Sequence, residues 1–304
     1  MTTLLRMENA YWQVGILPET GGAIAYARVR HGDRWLDFMR PTAEADYGKV
    51  SLTASFPLVP WSNRLRDARF SFLGNTYQLE PTSKDGTAIH GVGRYHAWQV
   101  ERASSTEIVL NLTSRTLEKV NFPFAFTSRL IYSLVDRSFV LDTAVRNESE
   151  SAFPAGFGHH PYFQRVLLDP SDAVALELPY THYFELEDDL AYRAPILRPE
   201  RLDFNELRPL GDQVYDDCLT GHLPGKAIRF VYPTSGTAID FGADEQFVCA
   251  ILYAPEGKSF FAVEPVTNTN DGFNLFDQGV PGTGVFILQP GELRMGQMWF
   301  EQKA

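Results

Sequence analysis

"SRLIYSLVDRSFVLDTAVRN", residues 128–147, joins two alternating runs rich in β-branched and aromatic residues. Side chains that change face at every residue suit a half-buried strand, so the stretch reads as a β-hairpin. The pattern recurs on either side. "ARFSFLGNTYQLEP" (68–81) predicts a second hairpin, with Gly74-Asn75 supplying positive φ and Phe70 and Phe72 on one face. "WQVERASSTEIVLNL" (98–112) and "AIRFVYPTSGTAIDF" (227–241) predict two more. Nowhere does a long amphipathic helix follow a strand, as a parallel α/β sheet requires. Residues 192–209, rich in proline, read as a long surface connection. The expected fold is all-β with little helix, one large antiparallel β-sandwich domain over residues 1–304.

Composition limits the function. Of 304 residues, 44% are hydrophobic and 13% aromatic, which is ordinary globular content. A net charge of −11 opposes attraction to nucleic acid or an anionic membrane surface, because both require a basic footprint. The start lacks a secretory pattern, which sets a cytoplasmic expectation. Cys218 and Cys249 form neither a disulfide framework nor a metal-ligand spacing and are expected as reduced thiols. The sequons at Asn111 and Asn147 read as accidental. No zinc, phosphate-loop, dinucleotide or nucleophile-elbow motif occurs. What remains is acid and base chemistry without metal or cofactor.

Five segments could carry it. "GFGHHPYF" (156–163) places His159 and His160 in tandem; in extended backbone one faces a site and the other the packing behind it. Pro161 fixes the backbone after His160. "AIHGVGRYHAWQV" (88–100) sets His90 beside Gly91 and Gly93, which allow a close approach of backbone or ligand. "KSFFAVEPVTNTNDGFNL" (258–275) ends an apolar strand on Glu264, a carboxylate costly to bury unless paired or functional. "QVYDDCLTG" (213–221) carries Asp216 and Asp217, and "FPLVPWSNRLRDARF" (56–70) carries Asn63 and Arg64, types that fork onto hydroxyls. A structural reading stays open for each: a histidine satisfied in a turn, a buried hydrogen bond at His160, a salt bridge at Glu264, a solvated Asp pair.

Taken together and in order, these segments resemble the aldose 1-epimerase (galactose mutarotase-like) family over nearly the whole chain, with "HPYF" and "EP" the most specific parts. The "FPLVPWSNR" segment is similar to its bacterial aldose 1-epimerase-like branch. The resemblance implies a large antiparallel supersandwich that binds a free aldose. It implies Glu264 as general base and His160 as general acid, with His90, Asp216, Arg64 and Asn63 holding the sugar. Asp216 is chosen over Asp217 by its spacing to Leu219 in the family motif. Three other readings compete: a non-catalytic carbohydrate-binding protein, glycoside hydrolysis by Glu264 and Asp216, and hexose-phosphate epimerisation. Arg66, Arg69 and Arg94 read as solvated strand or turn residues, so neutral aldoses are the expected substrates. Neither the oligomeric state nor the preferred sugar follows from the sequence.

Overall fold

In a computed structural model that describes residues 2–303, all four hairpins form. The quoted stretch pairs Phe126–Val135 with Ser138–Asn147 over ten residues each. In the Arg69–Phe72/Asn75–Gln78 hairpin the turn is one residue earlier than the sequence suggests. Leu73 (φ 50°) and Gly74 (φ 77°) take the positive φ values, and Asn75 already pairs with Phe72. A two-residue connection of this hand needs both central residues at φ > 0, and Leu73 is carried there by the strands on either side.

Two large antiparallel sheets face each other. One has nine strands in the order Gln99–Ala103, Glu107–Thr113, Phe126–Val135, Ser138–Asn147, Leu293–Gln302, Thr237–Ala243, Ile228–Tyr232, Ala175–Glu177 and Arg208–Pro209. The other runs Ile196–Leu197, Tyr180–Phe184, Tyr215–His222, Cys249–Ala254, Phe260–Val266, Gly158–His159 and Pro57–Leu58, with Tyr162–Gln164 also paired to Phe260–Val266. The one α-helix among the described residues is the short Gly272–Asp277. No helix there is long and apolar enough to cross a membrane. The expected all-β architecture with little helix is therefore present.

The core lies between the sheets. Phe163 and Phe261 from the eight-stranded sheet meet Phe230, Phe241 and Phe300 from the other, with ring centroids 4.8 Å apart for Phe163–Phe230 and 5.8 Å for Phe230–Phe261. Odd-numbered residues of Phe260–Val266 point into this layer, so even-numbered Glu264 is committed to the opposite, outward face.

Two expectations are corrected. Residues 192–209 are not merely a surface connection: they give an edge strand to each sheet, Ile196–Leu197 and Arg208–Pro209, and bury Leu202 and Phe204. The Phe260–Val266 strand also does not stop at Glu264; Pro265 pairs with Ala250 and Val266 with both Cys249 and Gly158. Proline is tolerated because the neighbour on the other side is broken there. Tyr162–Gln164 covers residues 260–262 and Gly158 covers 266, while 263–265 have no registered partner on that side. His160 and Pro161 span this break.

Candidate active site

The break in the sheet brings His160 to Glu264. Nε2 of His160 lies 3.3 Å from Oε1 of Glu264, and both side chains are buried. The Tyr162 hydroxyl is 3.4 Å from the same nitrogen. His159, one residue earlier, points inward, where Nε2 meets the Thr143 hydroxyl of the opposing sheet at 3.2 Å. The tandem histidines thus take opposite faces.

Strand register assembles the rest of the floor. Asp216 is opposite Tyr253, Tyr253 is opposite Ala262, and Ala262 is opposite Tyr162, so these share the Glu264 face. Asp217 takes the other face, where Arg201 grips both carboxylate oxygens, one at 2.8 Å. Cys218 and Cys249, both free thiols, lie with Phe56, Leu58 and Ile251 in a small apolar cluster on the same face, beside Glu264.

A second wall comes from the segment after Phe56. Ser62 and Asn268 exchange hydrogen bonds, Ser62 N–H to Oδ1 at 3.0 Å and Nδ2 to Ser62 O at 3.1 Å, which ties this wall to the loop after Glu264. Asn63 N–H donates to Nδ1 of His90 at 3.2 Å, so His90 carries its proton on Nε2. The His90 ring is 5.3 Å from that of His160. Gly91 (φ 66°) and Gly93 do allow a close approach, but to Val59: a Cβ on Gly91 would come 2.0 Å from the Val59 carbonyl oxygen and one on Gly93 2.4 Å from its side chain. The side-chain oxygen of Asn63 is taken by the N–H of Arg64 at 2.8 Å. Arg64 is tethered between Asp85 (2.9 Å) and Asp189 (3.2 Å).

Electrostatics set the protonation states. Burial, then the Asp216 charge, holds Glu264 well above the usual carboxylate range, while Arg64 and Arg94 oppose this. Burial, then Arg94, lowers His160 to about 3. His90 is held well below its ordinary value by burial, so it is a neutral N–H donor. Crowding by protein, then Asp189, raises Asp216 to about 6, although one side of its side chain reaches solvent. One proton is therefore shared between Glu264 and His160, and without substrate the uncharged pair is favoured.

The sequence reading took Arg94 for a solvated residue and did not find Arg40, Tyr162 or Tyr253. Arg94 is buried, not solvated; its guanidinium lies 4.0 Å over the Phe56 ring, while Arg66 and Arg69 are exposed in part. Arg94 follows the His90-Gly91-x-Gly93 motif directly and was legible there; Arg40 carries no local signal. No group of three or more His, Cys, Asp or Glu among the described residues could hold a metal ion. Two surface clefts of about 330 and 370 Å³ lie elsewhere, and neither contains His160 or Glu264.

A β-sandwich whose broken sheet brings a buried histidine onto a buried carboxylate agrees with the whole-chain comparison: residues 4–301 match the Aldose 1-epimerase family, to which this chain belongs. Among individual proteins, the uncharacterized protein YphB of Escherichia coli (strain K12) is 27% identical over 275 residues, spanning 87% of this chain and 89% of YphB. Two solved structures share the fold. A galactose mutarotase-like protein from Clostridium acetobutylicum has a TM-score of 0.86 at 17% identity, covering 98% of this chain and 94% of its own. The GalM/aldose epimerase homologue from C. elegans has a TM-score of 0.84 at 17% identity, covering 100% and 99%.

Proposed function

We propose that the protein is an aldose 1-epimerase that interconverts the α and β anomers of a free aldose, with Glu264 as base and His160 as acid. The observation that carries this reading is the buried 3.3 Å contact between His160 and Glu264, with Oε2 of Glu264 lacking any hydrogen-bond partner among the described residues. A structural salt bridge would satisfy its carboxylate; this one leaves an oxygen for a substrate hydroxyl.

Glu264 takes the proton of the C1 hydroxyl while protonated His160 gives its proton to the ring oxygen. The C1–O5 bond breaks and C1 becomes an aldehyde; rotation about C1–C2 and reversal of both transfers close the other anomer. The step converts a charged pair into an uncharged one. Burial favours that change, since a raised Glu264 is a stronger base and a lowered His160 a stronger acid. Neutral His90 donates from Nε2 to a ring or hydroxyl oxygen, and Asp216 and Arg64 orient hydroxyls. Asn63 contributes by holding His90 and Arg64 through its backbone and side chain, a smaller part than direct sugar contact. No metal or cofactor enters this chemistry. A cytoplasmic site of action fits a reaction on free sugars.

The test is polarimetry with freshly dissolved single anomers of a panel of aldoses, neutral and charged at C6. Acceleration over buffer for at least one sugar supports the reading. Binding of several sugars without acceleration of any would replace it with a carbohydrate-binding protein.

A further inference from the structure

Arg94 is the one buried arginine among the described residues, and the half-buried Arg40 converges with it on one residue. Arg64, Arg198 and Arg201 each have a carboxylate within 3.2 Å. Arg40 and Arg94 have none within 4 Å among the described residues, although Arg94 is 8% exposed and Arg40 half-buried. The chain carries more acidic than basic residues, 38 against 27, so two unpaired guanidinium groups are not for want of partners. They also converge. Nη2 of Arg94 donates to the Ser51 hydroxyl at 2.9 Å, and Nη2 of Arg40 donates to the Ser51 carbonyl at 3.3 Å and the Thr53 carbonyl at 2.7 Å. Nε of each is buried with no hydrogen-bond partner. Like charges gathered at one residue repel, and buried donors left unmade cost free energy, unless a ligand completes them.

Both flank the catalytic histidine. Arg94 lies over Phe56, whose ring is 5.0 Å from that of His160, and Arg40 lies 4.0 Å over Tyr162, whose ring is 4.4 Å from it. Each guanidinium is among the charges that lower His160. In the proposed reaction His160 serves the ring oxygen O5, which is bonded to C5, and C5 carries C6. The side of the site beyond His160 is therefore where a C6 substituent falls.

We propose that Arg94 and Arg40 form a subsite for an oxyanion borne on C6 of the aldose, a carboxylate or a phosphate. This rests on the epimerase reading and gives its substrate class; it reverses the expectation of a neutral sugar, which assumed a solvated Arg94. Planar guanidinium forks suit such groups, and aromatic backing holds them in place.

The experiment compares kcat/KM for anomer exchange of glucose, glucuronate and glucose 6-phosphate at matched ionic strength. It adds inhibition by 1,5-anhydroglucitol and its 6-phosphate, which cannot exchange anomers. One of the charged sugars should exceed glucose by about tenfold or more, the worth of one charge-assisted hydrogen bond, and which one it is identifies the anion. That preference should fall by a similar factor in Arg94→Gln and in Arg40→Gln, and only in part in Arg94→Lys, which keeps the charge without the fork. Should Arg94→Gln not fold, Arg40→Gln and Arg94→Lys decide. Equal or better use of glucose, or a preference unchanged in the variants, overturns the subsite and leaves the epimerase reading intact. If no aldose is turned over, the epimerase reading fails, and the anhydrosugar pair still decides the subsite: tighter inhibition or binding by the phosphate, lost in the variants, sustains it, and equal binding overturns it.

Discussion

Glu264 and His160 are both displaced from their ordinary proton affinities by the same burial, in opposite directions. The productive state needs one proton on the pair. On the alkaline side that proton leaves at the raised value of Glu264; on the acid side a second is added only near the lowered value of His160, about 3. The kcat/KM profile should therefore stay level above the lowered His160 value and fall only as pH passes the raised Glu264 value, as stopped-time polarimetry across the pH range will show. An acid limb near the free-histidine value of about 6.5 would contradict the depressed His160. Stability carries the same signature with its own sign. The folded state binds the Glu264 proton more tightly than the unfolded chain, so stability is lost as pH rises from the normal carboxylate range toward the raised value. Glu264→Gln removes this loss. Denaturant melts should show the variant gaining on the wild type by about 1.4 kcal/mol for every tenfold by which the fold favours the proton. The depressed His90, His159 and His160 add a rise of stability with pH to both proteins, so the difference between them is what counts: a variant that instead loses on the wild type across that window would mean a Glu264 paired in a structural salt bridge. At this scale the sequence indicated His160, Glu264, His90 and Asp216 through motif order, but not Arg40, because the approach of residues 40, 94 and 162 depends on chain segments far apart in sequence.

Among the elements, the hairpins were legible because their information is local: alternation within each run and a short connection between runs. The exception is instructive, since at Leu73-Gly74 the turn was set by the pairing of Phe72 with Asn75 and not by the residue types that favour positive φ. The break between Gly158–His159 and Tyr162–Gln164 was not legible, although Pro161 and Pro265 mark it from both strands. Only the register shows that the two prolines flank one gap and that His160 faces Glu264 across it. The wall carrying His90 rests on Gly91, where the backbone packs onto Val59. Gly91→Ala combines a left-handed φ with a Cβ 2.0 Å from a carbonyl oxygen, whereas Gly74→Ala has a similar φ and open space. Gly91→Ala should cost about 2 to 3 kcal/mol or more and Gly74→Ala about 1. Urea titration of both checks this, and equal costs would mean that the Val59 contact yields easily.

For the whole molecule, the order of strands was beyond the sequence reading: Leu293–Gln302, at the end of the chain, inserts between Ser138–Asn147 and Thr237–Ala243. Such pairings join residues distant in sequence and leave no local pattern. Their consequence is functional. The aromatic layer between the sheets fixes which residues face inward, and parity along Phe260–Val266 then sends Glu264 outward beside His160, with His159 braced against Thr143 behind. The central claim is that this geometry makes Glu264 a base in anomer exchange. Exchange spectroscopy by NMR, on an aldose at anomeric equilibrium with wild-type protein or with Glu264→Gln, measures that step without a coupling reaction. The exchange rate should fall about 10²- to 10⁴-fold in the variant while its circular dichroism and melting remain those of a folded protein; a folded variant that exchanges anomers at the wild-type rate would contradict it.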